Sequence, residues 1–135
     1  MDRIFLDANV LFSAAYLENS GLGRLWQLEH TDLLSSAYAV EEARRNLVLD
    51  RPPAVVRLER LTPKLTLVNP PVDLKLPAGV RLDPKHRPIL LAAGHGKADF
   101  LLTGDGRHFG PLYGKRIEGV MVLQPAQYFA CRARR

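Results

Sequence analysis

Apolar residues along the chain fall into short runs that alternate with longer segments of mixed polarity. The short runs predict five buried strands, at residues 3–6, 33–34, 65–68, 100–102 and 120–123. Ser36 is a favourable helix N-cap, and Val40, Ala43 and Leu47 predict a helix after it. Strands separated by helices are typical of a mostly parallel sheet covered on both faces. We therefore expect an α/β fold, a three-layer α/β/α sandwich around a mostly parallel sheet of about four to five strands.

The remaining segments complete this outline. Residues 69–84 contain four prolines and no regular period, which predicts a surface loop. A helix from about Pro88 to Gly94 follows, with proline in the first turn and glycine near the end. A short helix through Tyr128 and Phe129 closes the chain. The 135 residues fit one domain, which we expect to cover residues 1–130, with residues 131–135 as a basic C-terminal tail.

Composition and charge narrow the classes of function. No apolar run approaches the roughly 18 residues of a membrane span. Asp2, Arg3 and Asp7 interrupt the first apolar stretch, which does not resemble a signal peptide. The single cysteine, Cys131, cannot form an internal disulfide. We therefore expect a cytoplasmic protein without a membrane segment. The net charge of +5 weakly indicates a polyanionic or acidic partner.

Two aspartates follow predicted strands at the point where each strand ends. Asp7 comes directly after the first strand, and Asp105 follows the fourth strand after two small residues. The carboxyl ends of parallel strands meet at one rim of the sheet, where ligands gather. Asp99 stands at the start of the fourth strand, about 20 Å from that rim at roughly 3.3 Å per residue. We expect Asp99 to be structural and Asp7 and Asp105 to share a site.

Glu41 and Glu42 lie near the start of the helix after the second strand, which begins at the same rim. Adjacent helical residues point about 100° apart, so only one is expected to face the site. Converging carboxylates suit a hard cation such as Mg²⁺ or Mn²⁺, which would neutralise their mutual repulsion. The pattern fits hydrolysis of a nucleic-acid backbone. Solvent-facing acids favoured by the helix dipole are the alternative interpretation of the two glutamates.

Four segments resemble the sequence elements of PIN domains. The first contains Asp7 and Asn9 after an apolar strand, and in the second Glu42 falls six residues after Ser36. The third ends in Thr-Gly-Asp at Asp105, and the fourth is similar to the closing strand and helix of the family. In order, the segments are residues 4–11, 36–47, 98–105 and 120–129.

The resemblance implies a metal-dependent endoribonuclease. The implied catalytic and metal-binding acids are Asp7, Glu42 and Asp105. The implied polar supports, which would orient those acids, are Asn9, Ser36 and Thr103. Many bacterial relatives are VapC-type toxins of type II toxin–antitoxin pairs, which cleave RNA and are silenced by a small protein. The resemblance therefore implies an RNA substrate, Mg²⁺ or Mn²⁺, an antitoxin partner and a homodimer.

One position departs from the family pattern. Where the family usually has Lys-Asp-Arg-Pro, this sequence has Lys-His-Arg-Pro, so that His86 stands in place of an acid. Three interpretations remain open. His86 coordinates Mn²⁺, since imidazole suits hard Mg²⁺ poorly. Alternatively, Asp83, which stands three positions before His86, reaches the site. The third interpretation is a non-catalytic PIN domain that binds RNA or a protein partner.

Other candidates have simpler explanations. His108 follows Asp105 closely enough to touch a substrate, but a structural or solvated role is the simpler expectation. A phosphatase of the haloacid dehalogenase kind would need a second aspartate two positions after Asp7, where Asn9 stands. Five arginines between residues 44 and 60 either contact the phosphates of a nucleic acid or belong to a solvated helix face. They are Arg44, Arg45, Arg51, Arg57 and Arg60.

Overall fold

The computed structural model describes residues 1–135 and contains six strands and six α-helices. The strands are β1 (Asp2–Leu6), β2 (Thr31–Ser35), β3 (Thr66–Leu67), β4 (Phe100–Leu102), β5 (Arg116–Ile117) and β6 (Val120–Leu123). The helices are α1 (Ala8–Tyr16), α2 (Ala37–Asp50), α3 (Val55–Leu61), α4 (Arg87–His95), α5 (Gly106–Phe109) and α6 (Pro125–Ala133). Short 3₁₀ turns occur at Gly21–Gln27, Pro52–Ala54, Thr62–Lys64 and Gly110–Leu112.

The strands form one sheet in the order β3-β2-β1-β4-β6-β5. All neighbouring pairs are parallel except β5 with β6. From β1 the chain proceeds to β2 and β3 on one side, whereas β4 and β6 lie on the other side. The order therefore reverses between β1 and β4, and ligands of open α/β sheets bind in the crevice at such a point.

The core is built on the strands, as their continuous apolar runs predict. Ile4, Phe5 and Leu6 of β1 are fully buried, as are Leu101 and Leu102 of β4. They belong to one cluster of buried apolar residues to which the helices also contribute. Burying each large apolar side chain contributes roughly 1.5–3 kcal/mol. Packing on both faces of the central strands gives the three-layer α/β/α arrangement that the sequence predicts.

The carboxyl ends of the strands are aligned by register. Leu6 of β1 pairs with Leu102 of β4, and Leu102 pairs with Leu123 of β6. The next acidic residues after two of these strands, Asp7 and Asp105, are helix N-caps, for α1 and α5. Each accepts a hydrogen bond from a free backbone N–H of the first turn, as N-caps do. The two carboxylates therefore lie at the same rim of the sheet, and each also caps a helix.

The sheet has six strands, whereas the sequence predicts four to five. Strand β5 has two residues and pairs antiparallel with β6, Arg116 opposite Met121 and Ile117 opposite Val120. Glu118 and Gly119 connect the two strands, both with positive φ, of 48° and 88°. Such a two-residue hairpin turn fits the right-handed twist of the strands. A strand of two residues carries no alternating pattern, and this is why sequence alone does not indicate it.

The C-terminal residues lie against the first strand. Helix α6 continues through Ala133, so that the expected boundary at residue 131 falls inside a helix. Asp2 Oδ2 accepts hydrogen bonds from the Tyr128 hydroxyl at 2.7 Å and from Arg135 Nη1 at 2.7 Å. Arg132 Nη1 is 3.5 Å from the same oxygen. The basic residues therefore fasten α6 to the start of β1.

Asp99 lies at the amino end of the sheet, where its Oδ2 accepts a 2.8 Å hydrogen bond from the Arg3 backbone N–H. Its structural role is confirmed. No helix combines the length and the apolar character that crossing a membrane requires.

Candidate functional site

Asp7 is held at the end of β1 by hydrogen bonds to both carboxylate oxygens. Its Oδ1 accepts from the Ala8 backbone N–H at 2.7 Å. Its Oδ2 accepts from the Thr103 hydroxyl at 2.8 Å and from Asn9 Nδ2 at 3.1 Å. The residue is only 2% exposed. The capping geometry and the neighbouring strand thus fix one orientation of this carboxylate.

Asn9 and Thr103 connect the ends of β1 and β4. Asn9 Nδ2 also donates to the Thr103 hydroxyl oxygen at 3.1 Å, and Asn9 Oδ1 accepts from the Gly104 backbone N–H at 2.6 Å. The Thr103 oxygen accepts a further bond from the Asp105 backbone N–H at 3.1 Å. The absence of a side chain at Gly104 permits this close approach. A Cβ there would lie 3.2 Å from Asn9 Oδ1, which is tighter than most contacts of a Cβ atom. The two strand ends and their acids form one hydrogen-bonded unit.

Asp105 contacts two histidines. Its Oδ1 accepts from the His108 backbone N–H at 3.2 Å, which caps α5. Its Oδ2 lies 2.8 Å from His108 Nδ1 and 2.9 Å from His86 Nε2. The two imidazole rings stack with their centroids 4.0 Å apart. His108 therefore contacts a predicted site acid directly.

Glu42 reaches the site from α2. Ser36 caps this helix, its hydroxyl accepting from the Ala39 backbone N–H at 3.1 Å. The Glu42 side chain is 22% exposed, with Oε1 3.9 Å from Lys85 Nζ. Glu41 points away, is 53% exposed and lies 3.5 Å from Arg44. Helical geometry thus turns only one of the two adjacent glutamates inward.

The loop before α4 supplies Asp83 and His86. Nδ1 of His86 contacts Oδ1 of Asp83, and the imidazole is only 13% exposed. The Asp83 carbonyl accepts hydrogen bonds from the backbone N–H groups of His86 and Arg87, which forms the turn into α4. The Tyr38 hydroxyl donates to the Lys85 carbonyl at 2.7 Å and ties this loop to α2. His86 therefore lies between Asp83 and Asp105. Both residues that the sequence analysis offers as alternatives, Asp83 and His86, lie beside Asp105.

A cavity of about 530 Å³ unites these side chains. It is lined by most of the residues singled out in the sequence, together with His108 and Lys85. The predicted residues on its wall are Asp7, Asn9, Glu42, Asp83, His86 and Asp105. Ser36 and Thr103 do not line it; the first caps α2 and the second bonds to Asp7. The spacing Asp105-x-x-His108, with an N-cap at the first position, is the available sequence signal for His108.

The acids differ in their electrostatic surroundings. Burial raises the pKa of Asp7 and the charge of Glu42 adds to this, against hydrogen bonds from Thr103 and Ala8 and the charge of His86. Burial also acts to raise the pKa of Asp105, but hydrogen bonds from His108 and the charges of both histidines outweigh it. The pKa of Asp105 is therefore held below its usual value. The ionised form of Asp7 is therefore disfavoured, mainly because the carboxylate is buried.

The donor set fits a divalent cation. A buried carboxylate with a raised pKa beside a second carboxylate is stabilised when a cation neutralises both. Asp7 and Glu42 offer oxygen ligands, the kind that Mg²⁺ and Mn²⁺ prefer. Asp105 adds a third carboxylate, which in this structure bonds to the two histidines. Asp7, Glu42 and Asp105 thus place three carboxylates on the wall of one cavity.

A second cavity adjoins the first. It has a volume of about 960 Å³ and lies between the 74–83 loop, α4 and α5. Asp83 and His108 line both cavities. Four cationic side chains are on the wall of the second cavity: Lys75, Arg81, Arg87 and Arg107. We name this cavity the basic groove.

Comparison with known proteins places the chain in a family. The family model described as PIN domain matches residues 3–107, which is most of the chain and includes every site residue predicted from the sequence. Curated protein sequences give no match. PIN domains are in general metal-dependent nucleases, in agreement with acids gathered at the strand ends. The chain therefore belongs to the PIN domain family.

Proposed function

We propose that this protein is a metal-dependent endoribonuclease whose Mg²⁺ or Mn²⁺ is bound by Asp7, Glu42 and Asp105. One observation carries the proposal. Acids from the end of β1, from α2 and from the end of β4 line a single cavity at the point where the strand order reverses. Neither helix capping nor core packing requires Glu42 to point into that cavity.

The roles of the residues follow from their contacts. When bound, the cation polarises the scissile phosphodiester and stabilises the negative charge of the transition state. Asn9 and Thr103 keep Oδ2 of Asp7 in one orientation, since both donate hydrogen bonds to it. Fixed carboxylates need little rearrangement when charge develops on the phosphate. Lys85, 3.9 Å from Glu42, adds a positive charge at the cavity wall.

The basic groove supports a single RNA strand as the substrate. Its four cationic side chains offer electrostatic contacts to phosphates, and it opens beside the acids. A further cavity on the other side of Glu42 has no basic residue and includes Asp50. An RNA strand that places a phosphodiester at the acids would therefore run along the 74–83 loop rather than along α2.

We further propose that the protein is the toxin of a type II toxin–antitoxin pair, acts in the cytoplasm, forms a homodimer and is silenced by a small antitoxin. The support is membership of the PIN domain family, many bacterial members of which are VapC-type toxins. A short open reading frame directly upstream, encoding a protein with a DNA-binding start, would support this role. Co-expression that relieves growth arrest would test it, because an unrelated small protein would not restore growth.

A second candidate is a non-catalytic PIN domain that binds RNA or a protein. The observation that favours it is the engagement of Asp105 by two imidazoles, one of which replaces the usual acid of the family. Calorimetric titration with Mn²⁺ and Mg²⁺ separates the two candidates. Absence of binding at millimolar concentration would favour the non-catalytic one.

Cleavage of RNA by the purified protein tests the main proposal. We expect cleavage that requires Mn²⁺ or Mg²⁺ and falls to the level of a metal-free reaction in Asp7→Asn. The matched control is Asp32→Asn, because Asp32 pairs with Arg3 at the opposite end of the sheet. If Asp7→Asn cleaved RNA as fast as Asp32→Asn, the assigned site would be wrong.

A further inference from the structure

Asp83, His86 and His108 form a second group of potential metal ligands beside the acids. One ligand atom from each can be chosen so that all three atoms lie within 4.8 Å of one another. Two of the three, Asp83 and His108, line both the acid cavity and the basic groove. The group therefore lies where the two cavities meet. It comes from two separate segments, the loop before α4 and helix α5.

Asp105 orients both imidazoles through one oxygen. Oδ2 is 2.9 Å from Nε2 of His86 and 2.8 Å from Nδ1 of His108. The His108 contact is a hydrogen bond. An ionised carboxylate only accepts hydrogen bonds, so Nδ1 of His108 carries the proton of this bond, and its Nε2 is the nitrogen available to a metal ion. A carboxylate that accepts from the far nitrogen of a metal-binding histidine is a common arrangement in metal sites.

The other ring nitrogen of His86 faces a second carboxylate. Nδ1 of His86 forms a hydrogen bond with Oδ1 of Asp83, so a proton lies between the two atoms. A metal cation bound here would take the place of that proton, because metal binding to a protonated ligand releases the proton. The His86 ring is held in place, being 13% exposed and stacked on His108. Asp83 is 44% exposed, so its side chain has room to move outward as a cation enters.

We propose that Asp83, His86 and His108 bind a transition-metal cation of the Zn²⁺ and Co²⁺ class in preference to Mg²⁺. Two imidazoles and one carboxylate suit such cations, whereas Mg²⁺ prefers oxygen ligands in octahedral geometry. Asp105 acts here as a positioning residue, because it contacts the far nitrogens of the rings. This site is separate from Asp7 and Glu42 and takes a different class of cation.

The inference does not depend on nuclease activity, because binding of a cation is measured without RNA. The experiment uses the untagged full chain, freed of metal, with Co²⁺ as a spectroscopic probe and with Zn²⁺ and Mg²⁺ in calorimetry. We expect one equivalent of Co²⁺ to produce visible absorption bands, which Zn²⁺ abolishes and Mg²⁺ does not. In NMR spectra the ring nitrogens of His86 and His108 should shift on addition of Zn²⁺, and those of His30 and His95 should not.

Variants assign the ligands. His108→Ala should weaken Zn²⁺ binding by more than about tenfold, as loss of a ligand does. His95→Ala is the matched control, since His95 is exposed at the end of α4. Asp7→Asn should leave Zn²⁺ binding unchanged while weakening Mn²⁺ binding, which separates this proposal from the nuclease site.

Three results would overturn the inference. The first is Zn²⁺ binding no tighter than Mg²⁺ binding. The second is Zn²⁺ binding that survives His108→Ala but is abolished in Asp7→Asn, which would place the cation among the acids instead. The third is an unchanged ring-nitrogen spectrum of wild-type His86 and His108, a measurement that needs no variant to fold.

Discussion

The hydroxyl of Thr103 donates a 2.8 Å hydrogen bond to Oδ2 of Asp7, joining the end of β4 to the end of β1. The Thr103 hydroxyl oxygen in turn accepts hydrogen bonds from Asn9 Nδ2 and the Asp105 backbone N–H, at 3.1 Å each. One buried hydroxyl therefore contacts both strand ends that carry the proposed metal-binding acids. Its removal should affect cation binding as well as stability.

Thr103→Val removes this hydroxyl with little change of shape. We expect the free energy of unfolding to fall by about 1–3 kcal/mol, because buried partners are left without their hydrogen bonds. Mn²⁺ affinity should fall by about 10–100-fold, as when groups that orient metal ligands are removed. Urea denaturation and calorimetry measure the two effects. Thr103→Ser keeps the hydroxyl and should bind Mn²⁺ nearly normally; equal weakening in both variants would contradict this account.

Gly104→Ala tests how closely the backbone must approach Asn9. The added Cβ would lie 3.2 Å from Asn9 Oδ1, which cannot retreat without lengthening its 2.6 Å bond to the Gly104 N–H. We expect a large decrease in RNA cleavage with a fall in unfolding free energy of only about 1 kcal/mol. Gly110→Ala is the control, since its Cβ would meet nothing within 4 Å. Unchanged cleavage in Gly104→Ala would show that Asn9 does not position Asp7.

The basic groove should contribute affinity for RNA but not the chemistry of cleavage. The double variant Arg81→Ala/Arg107→Ala should bind a single-stranded RNA more weakly. The slope of log affinity against log salt should become shallower by about 0.7 for each phosphate that the protein no longer neutralises. Fluorescence anisotropy at several salt concentrations measures this. Arg44→Ala, on the outer side of α2 beside Glu41, should leave the slope unchanged. If Arg44→Ala made the slope shallower and the double variant did not, the RNA would bind along α2 instead.

Asp2 should give the fold a pH-dependent stability. Burial acts to raise the pKa of Asp2, but hydrogen bonds from Tyr128 and Arg135 and the charges of Arg135 and Arg132 hold it below the usual 3.8. The ionised form is therefore favoured in the folded state. Its contribution is complete above the unfolded-state pKa and disappears as the pH falls through the folded-state pKa.

Unfolding at a series of pH values measures this contribution. At pH 7, Asp2→Asn should lower the free energy of unfolding by about 1.5–3 kcal/mol, the range for hydrogen bonds to a charged group. The difference between wild type and variant should shrink as the pH falls below about 4. Asp73→Asn, in the exposed 69–84 loop, should show no difference at any pH. A gap between wild type and Asp2→Asn that stayed constant down to about pH 2 would contradict the assigned cause.

Much of the fold is predictable from sequence because its signals are local. The apolar run Phe100–Leu102 and the N-cap Ser36 each specify an element within a few residues. Strand β5 is not predictable in this way, since it exists through pairing with β6. The closing helix is predicted through Tyr128 and Phe129, but its continuation to Ala133 is not. In the sequence, Arg132 and Arg135 are typical of a charged tail. Their partner, Asp2, lies near the other end of the chain, so no local pattern indicates the contact.

The site is predictable to the extent that it depends on strand ends. Asp7 and Asp105 follow from the parallel sheet, whereas the choice of Glu42 over Glu41 depends on family resemblance. The sequence leaves Asp83 and His86 as alternatives, but the structure places them in contact. The contact between His108 and His86 is not predicted, because nothing local indicates that two rings 22 positions apart in the chain stack on each other. Contacts between distant loops leave no pattern in a single sequence.

The central claim is that Asp7, Glu42 and Asp105 together bind a divalent cation. A crystal of the full chain soaked in Mn²⁺, with an anomalous difference map, tests it most directly. We expect a Mn²⁺ peak within about 2.0–2.6 Å of a carboxylate oxygen of Asp7 and of at least one of the other two acids. A map with no peak at that distance from Asp7, whether Mn²⁺ binds at Asp83, His86 and His108, elsewhere or not at all, would contradict the claim.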